Sequence, residues 1–215
     1  MMVDRSEVFQ IMKSGFGLCL PIDGQPNAIL RPVVTDSDKI DPQDVDRLTR
    51  WRNEHVIRFL TEFDATAEQT TQWLINRVGP DNGKILLMVE FEGKTVGHTG
   101  LGFGNWSANY IEADAIVRGE DAPRGLMKKA LQSTLSWARD SLGLVDQWVR
   151  VRSDNPAVKF YEAVGFQEVK RVPLDYRIEG AMKTWFERTD HESALASLVY
   201  MQLGTHNASQ VGSKA

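Results

Sequence analysis

The sequence predicts a mixed α/β fold of the α+β kind, in which helices pack against one sheet. Segments with strand-like and helix-like apolar spacing follow one another along the 215 residues in the order β, α, α, β, β, β, α, β, α, β, β. A turn signal at Glu92 and Gly93 predicts an antiparallel hairpin, whereas the later strand–helix–strand units predict parallel neighbours. A hydrophobic content of 42% is enough for one sizeable core, so we expect a single globular domain.

The first half of the chain begins with the strand "AILRPVV" and continues with two helices that have clear start signals. Asp41 with the following proline predicts the N-cap and first turn of "DPQDVDRLTRWRN". Thr66 and Gln69 form a capping box that opens the helix "TAEQTTQWLINRVG". The strands "KILLMVEF" and "KTVGHTGLGFG" then flank the turn at Glu92 and Gly93.

The second half alternates strands and helices and begins with "NYIEADAIV". Strict alternation would place Ile111, Ala113, Ala115 and Val117 on one face of that strand, and Tyr110, Glu112, Asp114 and Ile116 on the other. An amphipathic helix follows and stops at Gly143. The strand "DQWVRVR", the helix in "DNPAVKFYEAVGF" and the strands "FQEVKRVPL" and "ALASLVYMQL" complete the order.

Three parts are expected along the chain. Residues 1–27 form an N-terminal extension, a strand or short helix packed on the domain, residues 28–204 form the domain, and the small polar residues 205–215 form a disordered tail. The connection at 175–194 is longer than a hairpin needs, so we expect it to cover a binding site or to contact a second subunit in a homodimer.

Composition excludes several classes of function. With 25 basic and 29 acidic residues there is no cationic surplus for nucleic acid or an anionic membrane. No apolar run reaches the roughly 20 residues needed to cross a bilayer, and the N-terminus lacks a secretory pattern, so a cytoplasmic location is expected. The lone Cys19 excludes an intrachain disulfide and a multi-cysteine metal site, and no metal is expected.

The stretch at residues 154–166 carries more than a capped helix requires. A predicted strand is followed by Asn155 at the N-terminus of a helix. Tyr161 lies six residues later, and a Gly-Phe pair begins the next strand. This pattern resembles the second acetyl-CoA motif of the GNAT family of N-acetyltransferases, and the order of elements resembles that fold across about residues 28–204. The resemblance implies a GNAT-like, mainly antiparallel central sheet with helices on both faces and a splayed parallel strand pair, here "DAIV" and "WVRV".

The resemblance also implies acetyl-CoA (coenzyme A) as acyl donor and assigns residues to it. Tyr161 would act as general acid toward the departing thiolate, as catalysis of this step requires. The residues assigned to the coenzyme are Asn155 and Phe160 of the motif, Ile116, Val117 and Arg118 of the strand, and Arg124, Gly125, Leu126, Met127 and Lys128 of the pyrophosphate loop. That loop departs from the family pattern Gln/Arg-x-x-Gly-x-Gly/Ala, because Ala122 and Met127 occupy two of its positions. The loop must offer free backbone N–H groups at a helix N-terminus, and Gly125, Leu126, Met127 and Lys128 are expected to provide them.

Attack by an amine requires removal of a proton beside the thioester, by a side chain or by a relay water. Glu112 is the predicted base because its carboxylate lies on the polar face of the strand that would bind pantetheine. Asp114 on the same face and His98 in "VGHTG" are its rivals, and both are expected near the acceptor.

The acceptor side should be built by the first two helices and their connection. Trp51, Arg52 and Asn53 on the first helix, with Glu62 and Phe63 in the connection, resemble GNAT subgroups that acetylate nucleotide-linked amino sugars or protein N-termini. Trp51 could stack on the acceptor or anchor its helix in the core, and Arg52 could hold a phosphate through two hydrogen bonds.

Three functions remain open at this stage. The preferred one is acetyl transfer from acetyl-CoA to a primary amine of a nucleotide-linked amino sugar, by direct attack in a ternary complex. The alternatives are acetylation of a ribosomal or other protein N-terminus, and a non-catalytic acyl-CoA-binding domain.

Overall fold

A computed structural model describes residues 4–190 and 194–204. Its strands are β1 Leu20–Ile22, β2 Gln25–Pro32, β3 Thr61–Glu62, β4 Ile85–Phe91, β5 Lys94–Asn105, β6 Tyr110–Arg118, β7 Asp146–Arg152, β8 Phe166–Glu179, β9 Met182–Glu187 and β10 Ala196–Leu203. Its α-helices are α1 Val8–Lys13, α2 Pro42–Glu54, α3 Ala67–Trp73, α4 Leu126–Leu142 and α5 Ala157–Val164. The tail predicted at 205–215 lies outside the described residues.

The strands of the described residues form one sheet in the order β1-β2-β4-β5-β6-β7-β10-β8-β9-β3. Neighbouring strands are antiparallel except for β6 and β7, which are parallel. Helices α1, α4 and α5 pack on one face, and α2 and α3 on the other. The predicted mixed fold with a mainly antiparallel sheet, helices on both faces and one parallel pair is therefore confirmed.

The helix starts follow the local signals. The Asp41 side chain accepts a hydrogen bond from the Gln43 backbone N–H, and Pro42 occupies the first turn of α2. Thr66 and Gln69 make both bonds of a capping box at the start of α3. Beyond Trp73 that helix continues as a π-helical turn to residue 78, which widens the spacing of its last turn.

Strands β6 and β7 pair with each other only near their N-terminal ends. The three pairs are Tyr110 with Asp146, Ile111 with Gln147 and Glu112 with Trp148. Beyond them β6 continues along β5 and β7 continues along β10. The two strands therefore diverge inside the sheet and leave a cleft between them, as the GNAT resemblance implies.

The side-chain alternation predicted for β6 is wrong beyond Asp114. His98 and Gly100 are two positions apart on β5, whereas their partners on β6, Val117 and Asp114, are three positions apart. Ala115 within this interval has a φ of 52°. This β-bulge moves Ile116 to the face that carries Ile111, whereas Ala115 packs with the cluster on the α2 face.

Two regions contain more regular structure than the sequence indicated. Within 175–194, strand β8 runs on to Glu179, turns at Gly180 and pairs with β9, whose far edge pairs with the two-residue β3. The connection is thus largely a continuation of the sheet, and residues 191–193 lie outside the described part. At the N-terminus, Phe9 and Met12 of α1 are buried in the main core.

Lys13 attaches α1 to the C-terminal end of the π-helical turn and to the residues that follow it. Its ammonium donates to the carbonyl oxygens of Val78 at 2.7 Å, Gly79 at 3.1 Å and Asp81 at 2.6 Å. Burial lowers the pKa of Lys13 to about 8, although the charge of Asp81 acts in the opposite direction. Among the described residues no helix is long and apolar enough to cross a membrane.

Candidate active site

A cavity of about 830 Å³ occupies the cleft between β6 and β7 and extends beneath the α2–α3 connection. Because the two strands diverge there, side chains from both, from α5 and from the connection reach a common space. The predicted site residues that line it are Arg52, Phe63, His98, Glu112, Asp114, Ile116, Val117, Arg118, Asn155 and Tyr161.

Tyr161 presents its phenol to this cavity from α5. The residue is 8% exposed, and its ring packs edge-on against Phe160 at 5.4 Å and Phe166 at 6.0 Å between centroids. Its hydroxyl makes no hydrogen bond within the part of the chain that the structure describes. Burial, with a smaller contribution from the charge of Asp114, raises the pKa of Tyr161. The phenol therefore stays protonated and is free to donate.

Asn155 fixes the N-terminus of α5. Its Oδ1 accepts from the Ala157 backbone N–H at 2.9 Å, and its Nδ2 donates to the Arg58 carbonyl at 3.2 Å. The neighbouring Asp154 is held by Arg152 instead. Asn155 thus ties α5 to the α2–α3 connection at the wall of the cavity.

The predicted pyrophosphate loop lies at the exposed N-terminus of α4. Gly125 adopts the left-handed conformation with φ 86°, and no side chain caps the helix. The Leu126 N–H donates to Pro123 O at 3.1 Å, so it is not free, contrary to expectation. The Met127 side chain is buried beside Gly97, away from the helix end, and so does not obstruct the turn.

This arrangement fits a phosphate-bearing coenzyme. The N-terminal turn of a helix attracts anions through its unpaired N–H groups and its dipole. Arg124 is exposed beside it and Lys128 is partly exposed in the first turn. Ile116, Val117 and Arg118 of β6 line the cavity. The other residues assigned to the coenzyme, Arg124, Gly125, Leu126, Met127, Lys128 and Phe160, are not among its lining residues.

Glu112 and Asp114 line the cavity, and each carboxylate has a cationic partner. Glu112 accepts from the Tyr110 hydroxyl at 2.5 Å and pairs with Arg150 Nε at 2.7 Å. Asp114 pairs with Lys84 Nζ at 2.5 Å and accepts from the Ala115 N–H at 2.9 Å. The base predicted at Glu112 is thus held by two donors in the free protein.

His98 is a buried neutral imidazole on the cavity wall. Its ring stacks on Trp51 with centroids 6.0 Å apart, and its Nδ1 has no hydrogen-bond partner among the described residues. Burial lowers the pKa of His98 to about 4, against the opposing influence of the Ala115 backbone and of Asp114.

Trp51 and Asn53 do not reach the cavity. Trp51 is fully buried in the core on the α2 face, and its indole N–H donates to Glu120 at 3.2 Å. The structure therefore places it as the core anchor of α2, the second of the two roles considered for it. Asn53 exchanges two hydrogen bonds with the backbone of Ala65, at 2.9 and 2.8 Å, and so fixes the α2–α3 connection.

Arg52 reaches the cavity from the same helix. Its guanidinium lies 5.0 Å from the ring centroid of Phe59 and 4.2 Å from that of Phe63, and it donates to Thr61 O at 2.9 Å. It has no ion pair within the described residues, and burial lowers its pKa. A cation without an acidic partner faces the cavity at this point.

Glu62 belongs to a different cluster, outside the cavity lining. It accepts from Arg152 Nη1 at 2.7 Å and Trp185 Nε1 at 2.6 Å, with Lys183 at 3.7 Å. Burial would raise the pKa of Glu62, but these donors and charges lower it. The cluster joins the α2–α3 connection to β7 and β9.

The cavity residues that were not predicted from the sequence include Trp73, Lys84, Phe103 and Arg150. Arg150 could have been found, since it lies two positions after Trp148 and shares that face of the strand "DQWVRVR". Phe103 lies between two glycines at a strand end, a weak signal for a displaced backbone.

Comparisons with known proteins agree with this architecture. A spermidine N-acetyltransferase from Vibrio cholerae in complex with CoA and spermine matches with a TM-score of 0.60 and 19% identity, over 82% of this chain and 95% of that one. A dodecameric structure of spermidine N-acetyltransferase from the same organism matches with a TM-score of 0.56 and 19% identity, over 82% and 94%. A probable acetyltransferase matches with a TM-score of 0.63 and 15% identity, over 86% and 96%.

A comparison with curated protein sequences finds no match. The model of the acetyltransferase (GNAT) domain family, in contrast, matches residues 37–167, which run from the segment before α2 to the start of β8. That range contains the diverging strands, the α4 N-terminus and Tyr161. The chain therefore belongs to the GNAT family and is an N-acetyltransferase that transfers the acetyl group of acetyl-CoA to an amine.

Proposed function

We propose that the acceptor is a primary amine on a molecule that also carries negative charge, and specifically the amino group of a nucleotide-linked amino sugar. The observation that carries this proposal is the guanidinium of Arg52, which faces the cavity without an acidic partner among the described residues. Such a group binds a phosphate through two parallel hydrogen bonds.

The charge of the whole cavity supports an anionic ligand. Six cationic side chains line it, against two carboxylates. The cationic residues are Arg52, Arg58, Lys84, Arg118, Arg150 and Arg152, and the acidic ones are Glu112 and Asp114. Four of the six are paired with carboxylates: Lys84 with Asp114, Arg150 with Glu112, Arg152 with Glu62 and Asp154, and Arg118 with Asp121. Arg52 and Arg58 make no ion pair among the described residues, and their positive charge attracts phosphate and repels a polycation such as the spermine bound by the Vibrio cholerae structure.

The proposed reaction is a direct transfer in a ternary complex. The amine nitrogen attacks the thioester carbonyl carbon, a C–N bond forms and the C–S bond breaks. Tyr161 donates its phenolic proton to the departing thiolate. The amine proton passes to a carboxylate of β6, for which Glu112 and Asp114 are the candidates, and their separate Gln and Asn variants would assign it.

An acceptor panel tests the proposal. Release of CoA from acetyl-CoA is measured with a UDP-linked amino sugar, with spermidine and with a peptide that has a free N-terminus. We expect the highest kcat/KM for the sugar nucleotide. Arg52→Met should raise the KM for that acceptor by about ten- to a hundredfold, which corresponds to the loss of a charged hydrogen-bonding group.

Arg50→Met provides the matched control. Arg50 lies on the same helix but pairs with Glu120 and Glu54 and does not line the cavity. Its replacement should leave the KM unchanged. Preferential turnover of spermidine or of the peptide would refute the proposed acceptor, as would an unaltered KM in Arg52→Met. Binding of acetyl-CoA without turnover of any amine would favour the non-catalytic alternative.

A further inference from the structure

Lys84 occupies a place in the cavity where an amine would be expected to bind. Its side chain is 17% exposed, and its Nζ lies 2.5 Å from Asp114 Oδ2. Asp114 also contributes to the electrostatic environment of Tyr161, the predicted acid. The ammonium of Lys84 therefore contacts a carboxylate of the reactive region in the free protein.

Two aromatic rings flank the same ammonium. The ring centroids of Trp73 and Phe103 lie 5.7 and 5.9 Å from Lys84 Nζ, within the range of cation–π attraction. A carboxylate with two aromatic rings is an arrangement that binds an organic ammonium group.

Phe103 has two costly features that this arrangement explains. It is 57% exposed although it is a large apolar residue, and its φ of 55° lies in the left-handed region that favours glycine. Backbone strain of this kind persists mainly at functional positions. The conformation places the ring at the cavity, beside Lys84 and Arg150.

Gly102 leaves room for the carboxylate. A Cβ atom at this position would lie 2.9 Å from Asp114 Oδ2 and 3.3 Å from Asp114 Cβ. Any larger residue there would displace the carboxylate from its present position.

We propose that Asp114, Trp73 and Phe103 form the subsite for the acceptor's ammonium group, and that Lys84 fills this subsite until the acceptor displaces it. The inference rests on the proposed function only in that the acceptor is an amine. Lys84 is then an internal competitor that lowers the affinity for the acceptor.

Binding of n-butylammonium chloride tests this subsite independently of turnover. The titration is followed by NMR chemical shifts in the full chain. Lys84→Ala should lower the Kd by about tenfold relative to the wild-type protein, since removal of the competitor frees the carboxylate and both rings. Adding Asp114→Asn to that variant should abolish this increase in affinity. 1-Pentanol has a similar length and no charge, so its affinity should be the same for Lys84→Ala and for the wild-type protein.

Two further variants keep the test decisive. Lys84→Met removes the charge and keeps most of the side-chain length, so it should also bind the probe more tightly if Lys84→Ala folds poorly. Lys94→Ala, at an exposed lysine at the start of β5 outside the cavity, should match the wild-type protein. The inference is wrong if both Lys84 variants bind butylammonium no better than wild type, or if the gain survives Asp114→Asn.

Discussion

Replacement of Tyr161 by phenylalanine removes one oxygen atom and should separate catalysis from stability. The phenolic hydroxyl has no hydrogen-bond partner in the described structure, whereas the ring packs against Phe160 and Phe166. Phenylalanine keeps the ring contacts. The variant should therefore fold as well as the wild-type protein while it loses the proposed acid.

The two effects differ in size. No protein hydrogen bond is lost, so the unfolding free energy should change by less than about 1 kcal/mol. Loss of a general acid lowers kcat by about 10²- to 10⁴-fold, which is equivalent to about 3–5 kcal/mol in the barrier.

Steady-state release of CoA gives kcat, and urea unfolding gives the stability of the same preparation. Tyr176→Phe is the control, because Tyr176 lies on β8 outside the cavity lining and should behave as wild type. A kcat of Tyr161→Phe within about threefold of the wild-type value would remove the acid role. A large loss of stability would show that the hydroxyl has a structural role.

Two other predictions concern the α2 face of the core. In Gly119→Ala the new Cβ would lie 1.9 Å from Trp51 Cε2, so thermal unfolding should show a loss of about 1–3 kcal/mol, whereas Gly204→Ala, whose nearest atom is 3.9 Å away, should show none. The pKa of His98 is about 4, below its ordinary value of 6.5, so the unfolded chain binds more protons between those values. Wild-type stability relative to His98→Gln should therefore fall as the pH drops from about 6.5 to about 4. Parallel stability curves for the two proteins would contradict this expectation.

The elements with strong local signals were predictable. Asp41, Thr66 and Gln69 mark helix starts through bonds that neighbouring residues make, and Gly143 marks a helix end. The splayed strand pair and the role of Tyr161 were predicted from the resemblance to the GNAT family. Helix capping and a motif with fixed spacing are both properties of short segments, so both can be recognised in the sequence alone.

The remaining features depend on contacts between distant segments. The bulge at Ala115 depends on the register between β5 and β6, and the alternating sequence of β6 conceals it. The burial of Trp51 depends on Gly119, sixty-eight positions later, which leaves space for the indole. Lys84 looks like a surface residue at the start of a strand until the fold brings it to Asp114. Such pairings have no signature within a single segment.

The three residue pairs between β6 and β7 have a thermodynamic consequence for the whole sheet. The strands β1, β2, β4, β5 and β6 on one side meet the strands β7, β10, β8, β9 and β3 on the other at this short junction. A coenzyme bound in the cleft would contact both sides and would bind the folded state alone. Its binding energy would then add to the cohesion of the two halves, and the apparent stability would rise with coenzyme concentration by RT ln(1 + [L]/Kd).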